Sequence, residues 1–348
     1  MNRKLRWLVV PALAAIAVVA LAACGSSGGD SSSSGGGSSS SGGGGEEEVS
    51  LAYFSFATAN TLAAAQQEAI ERTAGEMNAS VKVFDGKGNP ETQLNQVETA
   101  ANTGQYDAFV IFPTDGNALV PAVQQAIANG VKVVSIFSTI GKDPNDLEPQ
   151  VPGLTSTVAT EIDDSGEQIG RMTIEACKGI DPCEVAYMPG VATFFPEVVR
   201  QKAFEAAIAD EPNVEVVATQ NGDYAADPAM KATQDILQSK PGLDVIATSG
   251  DQMTAGAAEA VKSAGKAGEI ALIGDGASRQ AVKAIRAGEW FGSYVILPET
   301  EGELGAQYAI EAVRGKSVPS SVRSIDKSPI GPVATKQTVD GFSGQWND

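Results

Sequence analysis

The sequence predicts an α/β protein with two doubly wound parallel-sheet lobes that are joined by a multi-strand hinge. Short, β-rich apolar runs alternate with longer stretches in which apolar residues recur at helical spacing. Crossover connections of that length place helices on both faces of parallel sheets. The series runs twice along the chain, separated by an irregular stretch at Ser138–Thr160 that contains three prolines. Two similar halves would leave a cleft between them, at the carboxyl ends of their strands.

The individual elements follow from local composition. The runs predicted as strands are Val49–Phe56, Val81–Phe84, Phe109–Phe112, Val131–Ile136, Val185–Met188, Val214–Thr219, Val245–Thr248, Ile270–Ile273 and Phe291–Ile296. Helical spacing joins Leu94, Val97 and Ala101 in one intervening stretch. The near-continuous hydrophobicity of the strands fits sheets that are buried on both faces.

The amino terminus has the layout of an export signal. Three basic residues within positions 1–6 precede an apolar run at Trp7–Ala23. The last residues of the run, Leu21-Ala22-Ala23-Cys24, resemble the lipobox of bacterial lipoproteins, in which the cysteine thiol receives lipid before cleavage. A membrane-spanning helix, the alternative, would need about 20 apolar residues and has no reason to end at a cysteine. We therefore expect a signal peptide at 1–23 and a lipid anchor on Cys24.

A tether is predicted at 24–48. Between Gly25 and Gly45 all residues except Asp30 are glycine or serine, so the segment has no apolar area to bury. Such a chain behaves as a flexible coil with a root-mean-square span of roughly 25 Å. We expect it to hold the protein at the outer face of the bacterial cytoplasmic membrane.

Composition excludes several classes of function. The net charge of −19 repels phosphate backbones, so nucleic acid is not expected as a partner. The chain contains no histidine, which removes Ser-His-Asp and Cys-His catalysis and the commonest metal ligand. No metal and no cofactor are expected. Cys177 and Cys183 cannot build a structural zinc site alone, and in an exported protein a disulfide is favoured over two buried free thiols.

Three segments resemble the ribose-type sugar-binding proteins of ABC importers, the periplasmic binding protein type 1 family. They contain an Asp-x-x-x-Asn-Pro-x-x-Gln stretch, a Pro-Thr-Asp turn and an Asp-x-Met segment, at Asp85–Ala100, Phe112–Ala126 and Thr248–Gly265. The family shares its lobe architecture with lac-repressor-like effector domains, but no helix-turn-helix precedes the lobes here. The resemblance implies a monomer that captures a small solute outside the cytoplasm and presents it to membrane permease subunits.

The resemblance also implies how the chain divides. We expect an amino-terminal lobe and a carboxy-terminal lobe, formed by 49–160 plus 298–325 and by 161–297 plus 326–348. Hinge strands are expected near Thr157–Ile162, Leu297–Thr300 and Ile325–Lys327. A solute that contacts both lobes would favour the closed state, and that difference in affinity drives closure.

Candidate ligand-binding residues follow from the family pattern, in the loops after the strands: Phe56, Thr58, Asn60, Phe137, Ser138, Arg200, Tyr224, Asp251 and Asp275. Rings suit the apolar faces of a sugar, and arginine or aspartate suits its hydroxyls. Each also has a structural alternative: a core ring for Phe56, a solvated helix charge for Arg200, a surface loop for Tyr224, and a cap or turn for the two aspartates.

Departures from the family pattern include two places that commonly bind the ligand. Phe137-Ser138 stands where pentose and hexose binders commonly carry Asp-Arg, and Ile296 stands where a ligand-binding glutamine is common. An apolar group facing an unpaired hydroxyl costs roughly 1–3 kcal/mol. A smaller polyol, a deoxy sugar or a partly apolar solute is therefore favoured over ribose. Two other functions stay open: a sensory or adhesion module without transport, and a glycosidase that uses Asp251 and Asp275 as acid and base.

Overall fold

The computed structural model describes residues 47–192 and 194–347. The chain divides into two units, Met1–Gly45 and Glu46–Asp348, and the second contains every element described here. The predicted signal peptide, the predicted anchor Cys24 and nearly all of the predicted tether lie outside the described residues.

The first sheet has six strands, all parallel, which belong mainly to the first half of the chain. They are β1 (Val49–Ser55), β2 (Ala79–Asp85), β3 (Ala108–Ile111), β4 (Lys132–Phe137), β5 (Ser156–Ala159) and, from near the carboxyl terminus, β11 (Ser321–Arg323). Their spatial order is β11-β5-β4-β3-β1-β2. This order makes β1 the second strand from one edge, with consecutive strands on both of its sides, as in a doubly wound sheet.

The second sheet also has six strands. They are β6 (Cys183–Met188), β7 (Val214–Thr219), β8 (Val245–Thr248), β9 (Ala271–Gly276), β10 (Gly292–Val295) and β12 (Val333–Thr335). Their order is β12-β10-β9-β8-β6-β7, and only the β10–β12 pair among them is antiparallel. The two parallel-sheet lobes of the predicted fold class are confirmed.

Helices cover both faces of each sheet. The α-helices of the described residues are α1 (Thr61–Glu76), α2 (Pro90–Thr103), α3 (Val120–Ala128), α4 (Ile162–Ala176), α5 (Phe195–Ile208), α6 (Ala226–Ser239), α7 (Asp251–Ser263), α8 (Arg279–Ala287) and α9 (Pro298–Val313). The helices α1 and α9 pack together on the first sheet, and α4 and α5 pack together on the second. Within β1, Tyr53 and Phe54 enter separate cores on opposite faces, as strand alternation requires.

The chain crosses between the sheets three times. It leaves the first sheet after β5 at 160–161, returns before α9 at 296–297, and leaves again after β11 through a 3-10 helix at Ser324–Lys327. Three adjacent crossings are the multi-strand hinge that the sequence predicts.

Three strands were missed by the sequence analysis. The stretch Ser138–Thr160, predicted to be irregular, contains β5, and β11 and β12 were not predicted as strands of these sheets. Each has only three or four residues, and serine or threonine takes half of β5. Their burial comes from neighbouring strands rather than from an apolar run of their own.

Cys177 and Cys183 form a disulfide, as predicted. It joins the end of α4 to the first residue of β6, and both cysteines are buried in the core between this helix and the second sheet. Within the described part of the chain, no helix is both long enough and apolar enough to cross a bilayer.

Candidate functional site

A small cavity of about 50 Å³ lies between the two lobes. Its walls are built by residues at the carboxyl ends of strands: Phe56 follows β1, Phe112 follows β3, Ser249 follows β8, and Asp275 lies at the end of β9. The strand ends of both sheets therefore face one another across the cavity. This is where ligands bind in open α/β sheets.

A second cavity of about 30 Å³ adjoins the first on the hinge side. The two cavities share four wall residues, which are Phe137, Arg200, Asp275 and Ile296. The second cavity reaches the crossing segments through Thr160, Glu161 and Ser324, and it reaches α9 through Glu301. A molecule in the paired cavities would contact both lobes and the hinge.

Aromatic rings dominate the walls of the first cavity. Phe56 stacks on Phe112 with ring centroids 5.4 Å apart, and Phe112 lies 4.3 Å from Phe137. From the other lobe, Phe194 lies 5.2 Å from Phe56, and Tyr224 lies 6.4 Å from it edge-on. The five rings form a partly apolar box that joins the lobes.

The lobes are closed on one another in this structure. Besides the contact between Phe56 and Phe194, Gln252 Nε2 at the start of α7 donates a hydrogen bond of 3.1 Å to Thr61 Oγ1 at the start of α1. Both contacts involve residues of the cavity walls or lie beside them, so they join the two lobes around the cavity. Lobe separation would have to break them.

Two of the ring-bearing residues have strained backbones. Phe137 has φ of 69° and Tyr224 has φ of 51°, in the left-handed region that non-glycine residues rarely adopt. Such conformations persist where the surrounding packing determines them, and they concentrate at ligand sites. Here they direct the Phe137 and Tyr224 rings at the cavity.

A buried ion cluster forms the polar part of the walls. Arg200 Nε lies 3.0 Å from Asp275 Oδ2, and Arg200 Nη1 contacts Glu197 Oε1. Ser165 Oγ accepts from Arg200 Nε at 3.0 Å and donates to Asp275 Oδ2 at 2.8 Å. Arg200, Glu197 and Asp275 are each 4% exposed or less. The guanidinium, which the sequence analysis assigned to a ligand, is thus bound to two protein carboxylates.

Glu197 is the centre of a second set of contacts that the sequence analysis missed. Its Oε1 accepts from the Tyr224 phenol at 2.6 Å, and its Oε2 accepts from Gly190 N at 2.9 Å and from Ser249 Oγ. It lies three residues before Arg200 on α5, and this i,i+3 pairing of opposite charges was visible in the sequence.

Burial shifts the protonation of these groups. Burial raises the pKa of Asp275, and the opposing effects of Arg200 and Ser165 do not cancel it. Burial lowers the pKa of Arg200, but the electrostatic effects of Asp275 and of the neighbouring tyrosines together outweigh it and raise the pKa overall. Asp275 Oδ1 is buried and has no hydrogen-bond partner among the described residues. A solute that donates a hydrogen bond would satisfy it.

The structure brings together most of the predicted site. Phe56, Asn60, Phe137, Arg200, Tyr224 and Asp275 lie in the walls of the first cavity. Asn60 also caps α1, because its Oδ1 accepts from Ala63 N at 3.1 Å. Contact with a ligand stays a prediction for all six.

Three predicted residues do not lie in these walls. The Thr58 backbone N–H donates to Asp85 Oδ1 at 3.1 Å, and Ser138 lies beside a separate small cavity. Asp251 is fully buried and accepts from Ser278 N and Ser293 Oγ, both at 2.7 Å. It ties α7 to the strand ends of the second sheet, a structural role that differs from the cap or turn that the sequence left open.

The walls also contain residues that were not predicted. Phe112, Phe194, Ser249 and Gln252 were missed, and Phe194 stands in the conspicuous pair "FF" at the start of α5. In the described ranges, no group of three or more acidic or cysteine side chains is placed to hold a metal ion.

Comparisons with known proteins agree with this architecture. The sequence model of the family described as periplasmic binding protein domain matches residues 51–317. The ribose import binding protein RbsB of Bacillus subtilis is 27% identical over 257 residues, which are 74% of this chain and 79% of that protein. The xylitol-binding protein of Mycolicibacterium smegmatis is 24% identical over 250 residues, which are 72% of this chain and 66% of that protein.

Solved structures share the fold. A solute-binding protein of an ABC transporter from Mycobacterium smegmatis, with bound glycerol, matches with a TM-score of 0.72 at 24% sequence identity. The match covers 87% of this chain and all of that one.

Proposed function

The chain belongs to the periplasmic binding protein domain family, and from this premise we propose that it captures a small hydroxylated solute for an ABC importer. The solute is a sugar, a polyol or a related molecule, and it binds between the lobes. The proposal is supported by one observation above all: strand ends of both sheets build the walls of one cavity between the lobes. No chemical step on the solute is part of this function.

Capture works by hinge closure. The lobe formed by 49–160 plus 298–325 moves as one body against 161–297 plus 326–348, about the three crossing segments. The contact of Phe56 with Phe194 and the bond of Gln252 to Thr61 exist only in the closed state. A solute that contacts both lobes adds to these contacts and shifts the population toward closure.

The solute is small and partly apolar. Five aromatic rings and two short cavities leave little room for a pyranose with many hydroxyl contacts. Relatives named for ribose import and for xylitol binding indicate the range of solutes that this site could take. The wall residues Phe56, Asn60, Phe137, Arg200, Tyr224 and Asp275 carry the binding. Arg200 acts through Asp275 and Glu197.

The chain works outside the cytoplasm as a lipoprotein. Lipid on Cys24 anchors it, the Gly/Ser segment acts as a tether, and the closed form is presented to permease subunits in the membrane. Two or more acyl chains hold a protein on a bilayer stably, whereas one chain binds reversibly. Mass spectrometry of the membrane-extracted protein tests the anchor, and Cys24→Ala should release the protein from membranes.

A thermal-shift screen tests solute capture. A soluble form that begins at Glu46 is melted with sugars, polyols, nucleosides and amino acids. A solute at about 100 times its dissociation constant stabilises the protein by roughly 2.7 kcal/mol. Phe194→Ala should abolish the shift, whereas Phe195→Ala, which removes the neighbouring exposed ring outside the cavity walls, should keep it.

Uptake by cells separates import from sensing. Deletion of the gene should slow uptake of the solute that the screen identifies. Unchanged uptake would leave solute binding in place and contradict the role in import. A panel in which no solute shifts the melting temperature would contradict capture itself.

A further inference from the structure

We propose that Glu197 determines the charge selectivity of the cavity between the lobes, so that the site takes uncharged hydroxylated solutes and rejects the corresponding acids. This inference rests on the proposed function, because it assumes that a sugar or polyol occupies the cavity. Glu197 is a positioning residue in this role, since it acts through wall side chains that donate hydrogen bonds to it. Three features support the inference: where Glu197 lies, which donors it occupies, and how much charge it leaves for a solute.

Glu197 lies directly behind the walls of the cavity. It belongs to the first turn of α5 and is 1% exposed. In the described part of the chain, the wall residues of the two cavities do not include it. Three side chains that do belong to the walls donate to its carboxylate, namely Arg200, Tyr224 and Ser249. Glu197 can therefore change how the walls meet a solute without touching the solute.

Both oxygens of the Glu197 carboxylate are fully used as acceptors. Oε1 accepts from the Tyr224 phenol and from Arg200 Nη1. Oε2 accepts from Gly190 N and from Ser249 Oγ. All four contacts are donated to the carboxylate, which is the pattern of the ionised form, because a protonated carboxyl would itself have to donate one of them.

These contacts fix the direction of the hydrogen bonds that the wall can offer. A hydroxyl group has one proton, and Tyr224 and Ser249 both donate theirs to Glu197. Any bond between these hydroxyls and a solute must therefore be donated by the solute. A solute hydroxyl can donate to such a wall, whereas a solute carboxylate, which only accepts, cannot.

The charge of Arg200 is also balanced before a solute arrives. Its guanidinium lies in the walls of both cavities, 3.0 Å from Asp275 Oδ2, and it contacts Glu197 through Nη1. Glu197 alone cancels the positive charge, so the cluster offers no net positive charge to a solute, whichever state Asp275 adopts. Burial of a carboxylate without a compensating charge is costly. Lobe closure imposes this cost on an acid but not on an uncharged polyol.

Glu197→Gln should reverse this arrangement while it keeps the volume of the side chain. The Gly190 N–H is fixed by the backbone, so the amide oxygen should face it and the amide nitrogen should face Tyr224 and Arg200. An amide nitrogen donates and does not accept. The variant therefore removes one negative charge behind the wall, and it releases a guanidinium N–H and a phenol proton for a solute carboxylate.

Xylonate and xylonamide test the selectivity, because they have nearly the same shape and differ in charge. Xylitol, the corresponding polyol, is the uncharged reference. Binding of each compound to the soluble form that begins at Glu46 is measured by calorimetry at neutral pH. We expect the wild type to bind xylonamide at least about tenfold more tightly than xylonate, because the acid is buried without a compensating charge or a free donor.

Variants assign this preference to Glu197. In Glu197→Gln the preference for xylonamide should fall by at least about tenfold, through tighter binding of xylonate. Addition of Arg200→Gln should remove this gain, because the released guanidinium is lost. Glu205→Gln, an exposed carboxylate on the same helix, is the matched control and should keep the wild-type preference. A purely structural effect would weaken the binding of both compounds and leave their ratio unchanged.

The double variant keeps the inference falsifiable if Glu197→Gln alone fails to fold. Replacement of both members of a buried ion pair is tolerated better than the removal of one. If Arg200 already attracts a solute carboxylate in the wild type, its loss would enlarge the preference for xylonamide beyond that of the wild type. That result would overturn the inference.

The outcomes separate this inference from the proposed function. If the wild type binds xylonate as tightly as xylonamide, or if Glu197→Gln keeps the wild-type preference, the inference is overturned while solute capture stands. If none of the three compounds binds but another sugar or polyol does, the inference is also overturned. If no solute of the wider panel binds, both proposals fail.

Discussion

The phenol of Tyr224 donates a hydrogen bond of 2.6 Å to Oε1 of Glu197, and the same oxygen pairs with Arg200. This bond connects the loop before α6 to the first turn of α5. One buried carboxylate thereby positions an aromatic wall of the cavity and orients the guanidinium that holds Asp275. Loss of the Glu197 carboxylate should disturb both the Tyr224 ring and the Arg200 guanidinium.

Glu197→Gln should destabilise the protein. The substitution keeps the volume of the side chain but removes the charge that compensates Arg200, and breaking one partner of a buried ion pair costs about 3 kcal/mol. Chemical denaturation of the variant and the wild type measures the difference in the free energy of unfolding.

Glu205→Gln is the matched control for Glu197→Gln. Glu205 lies on the same helix but is exposed, where substitutions change stability by about 0.5 kcal/mol or less. Equal effects of the two variants would show that the buried cluster does not stabilise the fold.

Gly190→Ala should displace the ring of Tyr224. A Cβ at this position would lie 2.2 Å from the ring carbon Cζ of Tyr224, which is far inside van der Waals contact. We expect a loss of about 1–3 kcal/mol, as for other overpacked sites. We also expect weaker protection by any solute that contacts Tyr224, measured as a smaller thermal shift.

Gly75→Ala provides the contrast. Gly75 lies in α1, and a Cβ there would have open space around it. Alanine in a helix is favoured over glycine by about 1 kcal/mol, so this variant should melt at a slightly higher temperature. If Gly190→Ala were equally harmless, the close packing of Tyr224 on Gly190 would be contradicted.

Much of the fold was predictable because its central strands carry apolar runs. The strands β1, β3, β8 and β9 are buried on both faces, and burial on both faces leaves a signal in the sequence itself. Strand β5 has no such signal. Its polar residues pair with β4 and β11, and that pairing depends on the whole sheet.

The site was predictable only in part, for a related reason. The positions of Phe56, Tyr224 and Asp275 follow from strand ends, which can be read along the chain. The partners of each side chain cannot be read along the chain, because they depend on the folded structure. Arg200 and Asp275 meet across 75 positions of sequence, so the pairing that occupies the guanidinium was not visible. Phe194 contacts Phe56 only because the lobes close.

The free energy of unfolding should depend on pH through Glu301, which lies beside the hinge. Its Oε2 accepts from Gln66 Nε2 and its Oε1 accepts from Ser324 Oγ, both at 2.8 Å. Burial raises the pKa of Glu301 from 4.5 to about 7, although these two bonds oppose the shift. The folded state therefore binds the proton more tightly than the unfolded state. The stabilisation that follows from this tighter proton binding is fully present below pH 4.5, and it is lost as the pH rises through 7.

Glu301→Gln should remove this dependence. Between pH 4.5 and 7.5 the wild type should lose about 3 kcal/mol of stability relative to the variant, from the linkage of the shifted pKa to folding. Urea denaturation at a series of pH values measures the difference. Glu303→Gln, an exposed neighbour on α9, is the control and should follow the wild type. Parallel profiles for the wild type and Glu301→Gln would refute the role of Glu301.

The carboxy-terminal segment should hold the two lobes together through Trp346. This ring is 1% exposed and packs in a core of the first lobe, while its Nε1 donates to Gly276 O at the end of β9 at 3.1 Å. Trp346→Ala should cost about 3–5 kcal/mol through lost burial, whereas Trp346→Phe should cost about 1 kcal/mol for the hydrogen bond. Calorimetry should show a lower and broader transition for the alanine variant, because the lobes lose a shared contact.

Asp340→Ala is the control for Trp346→Ala. Asp340 is exposed in the same segment, so this variant should melt like the wild type. A similarly small effect of Trp346→Ala would mean that the lobes are held together elsewhere.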